Sequence, residues 1–318
     1  MHKLTVTTSP HIHSGATTRR IMLDVIIALI PAQIAAVIFF GPQTLLLTAT
    51  AIFAAVLFEA LFRLITKRDI SSIFDLSAVV TGLIFALGLP ANIPLWKVVV
   101  GAAVAIVVIK QLFGGLGRNL LNPALIGHVV VIQLVRIFGY PRGYPVAMAW
   151  MQGYGADAVT RATPLQLLAG NAPLPSLGEL FLGIHAGCMG ETSILALLLG
   201  AAYLILRRVI FPVIPLFYIG TTLLVVTIAG HDPLVHLFSG SLVFIAFFMA
   251  TDYTTSPINL KGRIIFGIGC GLITAMVRLF GGSTEGVTMA LIIMNLLTPL
   301  IERLTLPKTF GTGKIVKE

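Results

Sequence analysis

The chain has 318 residues, of which 57% are hydrophobic and 10% are charged, and its mean hydropathy is +0.99. A soluble domain carries about 25% charged residues, so this composition excludes an ordinary water-soluble protein and predicts that lipid covers much of the surface. The formal net charge is +9, but the Lys and Arg residues are scattered at the ends of apolar runs. That distribution indicates membrane topology signals and argues against a nucleic-acid-binding stripe.

Apolar runs punctuated by Gly, Pro and charged residues fill most of the chain. Runs of about 17 to 25 apolar residues are long enough to cross a hydrocarbon core of about 30 Å as helices. The pattern predicts ten helices, at residues 21–40, 44–65, 76–89, 95–113, 123–138, 193–210, 213–229, 234–250, 264–280 and 287–301. The predicted fold class is therefore an all-α integral membrane protein of about ten transmembrane helices.

The positive charges predict the orientation of these helices. With the amino terminus in the cytoplasm, 16 of the 21 Lys and Arg residues fall on the cytoplasmic side. Because cytoplasmic loops carry the excess of Lys and Arg, both termini are expected in the cytoplasm. The one long loop, residues 139–192, is then expected on the outer face.

Two sets of five helices have opposite orientations because five is an odd number, and this is the arrangement of an inverted repeat. Short matches support it: LFGG occurs at 112–115 and 279–282, and ALI at 124–126 and 290–292. Such matches also arise by chance between membrane helices. The predicted organisation is a cytoplasmic segment 1–20, a first half 21–138, an outer loop 139–192, a second half 193–303 and a cytoplasmic tail 304–318.

Three segments break the helical pattern with Gly, Pro and polar residues. They are GLP at 88–90, GGLGRNLLNPA at 114–124 and MATDYTTSP at 249–257. Irregular backbone at membrane depth is tolerated only where protein or a water-filled cavity satisfies its polar groups. These broken helices are therefore expected to line a pathway or a ligand site.

The outer loop contains the string DAVTRATPL at 157–165. It resembles a flavinylation motif in which an acidic residue, a Ser or Thr three positions later and a final Ala-Thr mark a threonine esterified by the phosphate of FMN. By that resemblance Thr163 carries the FMN, while Asp157 and Thr160 belong to the motif. Arg161 departs from the motif, which usually has a small residue there. The alternative is that Thr163 is only a helix N-cap, since Pro and Gln follow it in a capping-box pattern.

A second Ala-Thr pair lies at the amino terminus, in SGATT at 14–18. His11, and not an acid, stands six residues before Thr17, and the predicted topology puts this segment in the cytoplasm. Thr17 is therefore the poorer candidate for flavinylation, and it is interpreted as an N-cap of the first helix.

The resemblance to a known family extends over nearly the whole chain. It rests on the strings SPHIHSGATTRRIMLDVIIAL, KQLFGGLGRNLLNPA, DAVTRATPL, ETSILALLLGAAYLI, FFMATDYTTSPINLKGR and EGVTMALIIMN. These strings are similar to the RnfD family of membrane subunits in the Rnf electron-transport complex. That family is related to a membrane subunit, NqrB, of the sodium-pumping NADH:quinone reductase.

The resemblance implies a membrane flavoprotein subunit of an ion-translocating ferredoxin:NAD oxidoreductase in the bacterial inner membrane. It implies covalent FMN and a second, non-covalent riboflavin-type flavin, with electron transfer coupled to sodium or proton movement. The implied partners are the other Rnf subunits, including iron-sulfur and flavin subunits, and a flavin transferase acting outside. The chain alone is not expected to be active.

Two sets of polar residues in the breaks are candidates for these roles. Asn119 and Asn122 are predicted near the second flavin, with the alternative that they satisfy unpaired backbone at helix ends. Asp252, among the hydroxyls of the TTSP segment, is predicted in the ion pathway, because a hard cation such as sodium takes oxygen ligands. The alternative for Asp252 is a carboxylate that caps the turn.

The sequence also bears on other chemistries and functions. The two cysteines, Cys188 and Cys270, form no CxxC pair, the histidines form no ligand cluster in sequence, and no metal site is predicted. A non-redox channel or transporter of the inverted-repeat type is the main alternative function. A scaffold subunit is a third. The DAVTRATPL string favours the redox interpretation, because a plain carrier has no need for a tethered flavin.

Overall fold

The computed structural model describes residues 17–139, 143–152, 160–281 and 286–306, with residues 71 and 72 described by their backbone alone. The first half consists of α1 (Thr18–Phe40), α2 (Gln43–Ile65), α3 (Ser77–Leu87), α4 (Leu95–Ala103) and α5 (Pro123–Phe138). A 3-10 turn (Ile70–Asp75) precedes α3, and a π-helix (Val104–Gln111) continues α4. Each predicted helix of this half therefore corresponds to a helix of the structure.

The outer-loop region, residues 139–192, has more structure than the sequence predicted. Its elements are β1 (Tyr144–Pro145), a 3-10 turn (Ala149–Gln152), β2 (Thr160–Arg161), α6 (Pro164–Ala169) and α7 (Leu177–Leu182). The two strands pair antiparallel, with Tyr144 opposite Arg161. Both short helices begin with a capping box, which satisfies the free N–H groups of their first turn.

The second half is also helical. Its helices are α8 (Ile194–Leu206), α9 (Val213–Ile228), α10 (Pro233–Phe238), α11 (Leu242–Phe248), α12 (Leu260–Phe280) and α13 (Gly286–Thr305). The single helix predicted over 234–250 is thus two helices. Gly240 lies between them at φ +70°, a backbone conformation that a helix cannot contain.

Four helices of the described chain are long and apolar enough to cross a membrane: α1, α2, α12 and α13. Four shorter apolar helices, α3, α5, α8 and α9, accompany them. Large apolar side chains are exposed on the outside of the bundle, for example Ile34 at 54% and Phe53 at 68%. The chain is therefore a multi-pass membrane protein, while the total of ten spans stays a prediction.

Helix packing repeats between the two halves. In the first half α2 packs against α3 and α4, and α4 against α5; in the second, α9 packs against α11 and α12, and α12 against α13. Corresponding helices also meet each other, since α1 packs against α8 and α5 against α13. This correspondence agrees with an internal repeat, and the opposite orientation of the halves stays a prediction.

Small residues allow the halves to approach closely. A Cβ atom at Gly200 of α8 would overlap the carbonyl oxygen of Ala28 in α1. One turn nearer the start of α1, Asp24 accepts hydrogen bonds from the Tyr203 hydroxyl (2.9 Å) and the Arg207 Nε (3.3 Å). Because lipid offers no hydrophobic drive for helix association, such close contacts and polar bonds hold membrane helices together.

We expect Gly200→Ala to destabilise the protein by about 1–3 kcal/mol, because overpacking forces helices apart. Gly220→Ala in α9 is the matched control, since a Cβ there meets no atom within 4 Å. The measurement is the thermal unfolding midpoint of the purified chain in detergent. Equal midpoints for the two variants would contradict the close contact of α1 and α8.

Candidate functional site

A cavity lies between the two halves of the protein. It contains about 780 Å³ of atom-free space, including the open space at its mouth. Residues of both halves form its wall: Ile21, Met22, Val25, Ser77, Val80, Thr81, Ile84, Lys110, Leu116, Asn119, Asn122, Pro123 and Ala124 from the first, and Leu204, Val209, Ile210, Phe247, Phe248, Thr251, Asp252, Tyr253 and Thr254 from the second. The structure therefore brings the predicted Asn119, Asn122 and Asp252 to one site.

The two asparagines come from the glycine-rich connection before α5. Asn122 caps α5 by accepting a hydrogen bond from the Leu125 N–H (3.3 Å), and its amide nitrogen lies 3.5 Å from the Met249 carbonyl in the other half. Asn119 is 7% exposed, and its side-chain oxygen has no hydrogen-bond partner among the described residues. The capping role is thus present at Asn122, whereas Asn119 leaves an acceptor for a ligand.

Asp252 faces the cavity from the connection between α11 and α12. Its carboxylate accepts hydrogen bonds from the Thr254 N–H (3.3 Å), the Thr254 hydroxyl (3.0 Å) and the Thr255 hydroxyl (3.3 Å). Thr251 instead donates to the Phe247 carbonyl of its own helix. The turn-capping alternative therefore describes these contacts, and the role of Asp252 in ion movement stays a prediction.

A buried charge cluster that the sequence did not predict as a unit reaches the cavity through Lys110 and Ser77. The Lys110 ammonium donates to Glu59 Oε2 (2.7 Å) and to the Ser77 hydroxyl (2.6 Å). Glu59 also accepts from Gln111 (2.8 Å) and lies 3.5 Å from the Arg63 Nε. The sequence signal was a Lys-Gln pair ending an apolar run, which was interpreted as a topology charge.

The predicted flavinylation residues lie at the start of α6. Thr163 is 5% exposed, and its hydroxyl accepts from the Gln166 N–H at 3.4 Å while Gln166 binds the Thr163 N–H in return. Thr160 pairs with Pro145 in the two-stranded ribbon. Asp157 lies outside the described residues. The predicted N-cap at Thr163 is therefore present, and Thr17 likewise caps α1 by accepting from the Arg20 N–H.

A second cavity, with about 710 Å³ of atom-free space, adjoins this threonine. Ala162 and Pro164, the neighbours of Thr163 on both sides, line it together with Arg161 and His185. Glu179 lies on the same wall, where hydrogen bonds from the Ser176 N–H and hydroxyl lower the pKa of its carboxyl. The cavity therefore offers space and a cation, Arg161, next to the residues that flank Thr163.

No group of three or more His, Cys, Asp or Glu residues that could hold a metal ion occurs within the described ranges. Cys188 and Cys270 are both buried and free.

These observations define the chain as a multi-pass helical membrane protein with a partly polar cavity between two packed halves. Residues 5–311 match the model of the NQR2, RnfD, RnfE family, and the chain belongs to that family. The resemblance inferred from the sequence strings is thereby confirmed.

Named relatives match over almost the full length, and each is the subunit designated D of its complex. The chain is 45% identical to that of the Na(+)-translocating ferredoxin:NAD(+) oxidoreductase complex of Acetobacterium woodii, over 99% of this chain and 98% of the relative. It is 39% identical to that of the proton-translocating ferredoxin:NAD(+) oxidoreductase complex of Clostridium ljungdahlii, over 98% and 97%. It is 34% identical to that of the ion-translocating oxidoreductase complex of Yersinia enterocolitica, over 96% and 98%.

In the buried ion pair, replacing Glu59 is expected to destabilise the protein more than replacing Lys110. Glu59→Leu leaves the Lys110 ammonium buried without its carboxylate, a change that costs about 3–5 kcal/mol. Lys110→Met costs less, because Glu59 keeps Gln111 and Arg63 as partners. Denaturant unfolding of the purified variants measures the difference. A larger loss of stability for Lys110→Met than for Glu59→Leu would refute this account of the cluster.

Proposed function

We propose that this chain is a membrane flavoprotein subunit of a redox-driven ion pump, in which electrons pass between ferredoxin and NAD. The observation that carries the proposal is the 45% identity, over nearly the whole length, to a subunit of such a complex. A flavin accepts one or two electrons and so can join one-electron donors to other carriers. The chain's own residues bind the flavins and fix their positions.

The proposed covalent FMN is attached to Thr163. A hydroxyl is the group that a phosphoester requires, and the capping bond that this hydroxyl accepts is long, at 3.4 Å. Arg161 is exposed two residues earlier and is able to pair with a phosphate. Attachment would form an ester bond from the Thr163 oxygen to the phosphorus of a flavin dinucleotide donor, while the hydroxyl proton and the nucleoside monophosphate half of that donor leave. The adjoining cavity would provide space for the attached group. Asp157 and Thr160 are proposed as the residues that the transferase recognises.

The proposed second, riboflavin-type flavin occupies the cavity between the halves. The cavity is lined mostly by apolar side chains with a few polar groups, as small-ligand sites usually are. Apolar side chains such as Ile84, Ile210 and Phe248 suit the flat faces of an isoalloxazine. The unpartnered oxygen of Asn119 suits its N3–H donor. The residues present therefore fit the group, and Asn122 is a second amide in the cavity wall that would help to hold it.

The proposal includes partners and location. The chain works with iron-sulfur and flavin subunits of the Rnf complex, from which it receives electrons, and is not active alone. A flavin transferase acts on the outer loop. The protein lies in the bacterial inner membrane with both termini in the cytoplasm, as the charge distribution predicts. No nucleic acid is involved.

Intact mass tests the covalent flavin. The full chain, co-produced with a flavin transferase, is expected to gain the mass of one FMN less one water, and Thr163→Asn is expected to lose the gain completely. Asn keeps a strong N-cap without a hydroxyl, so the loss is not due to a disordered helix. Thr17→Asn is the matched control and should keep the FMN.

An unmodified mass for the wild-type chain would contradict the proposed covalent attachment of FMN. A non-redox channel or transporter built on the same repeat would then be the better proposal. Modification that survives in Thr163→Asn but disappears in Thr17→Asn would move the site to the amino-terminal segment and reverse the predicted topology.

Asp252 is proposed as part of the ion pathway, with sodium or protons as the transported ion. Asp252→Asn keeps the size of the side chain and removes its charge, so the sodium dependence of the assembled complex is expected to weaken at least about tenfold if sodium is the ion. Ser256→Ala is a neighbouring control, because its hydroxyl only donates to the Asp252 carbonyl. Unchanged ion dependence of the Asp252→Asn complex, measured as ferredoxin-driven ion uptake into vesicles, would remove Asp252 from the pathway.

A further inference from the structure

A single buried ammonium belongs to the wall of the cavity between the halves. Lys110 is 1% exposed and lies on the π-helix that continues α4. A π-helical turn shifts the helix face relative to a regular α-helix and is frequent at functional sites. Here it is the segment that presents Lys110 to both the cavity and the Glu59 carboxylate.

The ammonium has one hydrogen-bond donor to spare. A lysine has three N–H donors, and Glu59 and Ser77 take two of them. Because Lys110 also lines the cavity, the third donor is available to whatever occupies it. A cavity occupant with an acceptor at this wall would complete the coordination of the ammonium.

The cluster also has an excess of positive charge. Glu59 is the carboxylate that both Lys110 and Arg63 contact, at 2.7 Å and 3.5 Å. Two cations sharing one carboxylate leave this cluster with a formal charge of +1, and Lys110 is its charged member that lines the cavity. In a medium of low dielectric constant a ligand that contacts the ammonium interacts strongly with it. The Asp252 carboxylate also lines the cavity and accepts hydrogen bonds from the hydroxyls of its own turn, so Lys110 marks the part of the wall that favours an anion.

We propose that Lys110 contacts the flavin of this cavity and stabilises its negatively charged reduced form. The inference rests on the proposed function, which places that flavin here. Two electrons from two reduced ferredoxins, delivered through the partner subunits, and one proton from water convert the oxidised ring to an anion with its charge near N1 and the C2 carbonyl. Lys110 keeps its own proton and donates a hydrogen bond to that edge, so the reduced ring binds more tightly than the oxidised ring.

The same helix provides a matched comparison. Lys97, at the start of α4, is equally buried at 2% exposure, but its ammonium donates to the Gly139 carbonyl and does not line the cavity. Replacement of Lys97 therefore removes a buried cation from the same helix without changing the charge at the cavity wall.

The experiment is a spectroelectrochemical redox titration of the full chain carrying Thr163→Asn, so that only acid-extractable flavin remains. Lys110→Met is expected to bind the reduced flavin about tenfold more weakly relative to the oxidised flavin, a negative shift of about 30 mV for a two-electron couple. Lys110→Arg, which keeps the charge, and Lys97→Met are expected to leave the midpoint potential where it is in the parent.

Failure of the second flavin and failure of the role of Lys110 give different results. Absence of extractable flavin from the Thr163→Asn parent, at a protein yield equal to that of the wild type, would refute the second flavin of the proposed function. Flavin present in the parent with the same potential in Lys110→Met overturns the role of Lys110 alone. An equal negative shift in Lys110→Met and Lys110→Arg also overturns it, because the charge would then not be the cause. If Lys110→Met purifies without flavin, Lys110→Gln is titrated instead and is judged by the same shift.

Discussion

Hydrogen bonds to interrupted helices are the constraint on which this structure depends. Each break in a membrane helix frees peptide groups that lipid cannot satisfy. Arg278 of α12 meets this need at the break between α10 and α11, where it donates to the carbonyls of His236 (2.7 Å) and Ser239 (3.1 Å). At the end of α3, the carbonyls of Leu87 and Leu89 likewise accept hydrogen bonds from the backbone N–H groups of Gly190 and Met189. The breaks are therefore stable only because other segments are packed on them.

The same constraint explains where the cavity lies. Its polar wall consists of two interrupted segments, residues 114–122 of the first half and 249–254 of the second, with the charged end of the π-helix beside them. The side chains that accept hydrogen bonds from backbone N–H groups at the breaks, such as Asn122 and Asp252, are thereby fixed at the edge of an apolar space. Two polar groups of the wall do not bond the broken backbone and remain available to a ligand: the Asn119 side-chain oxygen and one N–H donor of Lys110.

Sequence reasoning predicted the helices well because hydrophobic length is a local property of the chain. It also predicted that Asn119, Asn122 and Asp252 belong to broken segments, although not that they share one cavity. The ion pair between Glu59 and Lys110 was missed, since 51 positions separate its partners and Lys110 alone was interpreted as a topology charge. The break at Gly240 was missed because the apolar run continues through it. Thr163 and Thr17 both cap a helix, so capping alone does not decide between them, and the choice depends on the motif and topology.

The glycine contact between α1 and α8 has a consequence for how such a protein can vary. At Gly200 the carbonyl oxygen of Ala28 lies so close that a Cβ atom would overlap it, so a larger residue at that position moves the two helices apart. The same two helices contribute Ile21, Met22, Val25 and Leu204 to the cavity wall. A residue that does not line the cavity thus influences the separation of two of the helices that do.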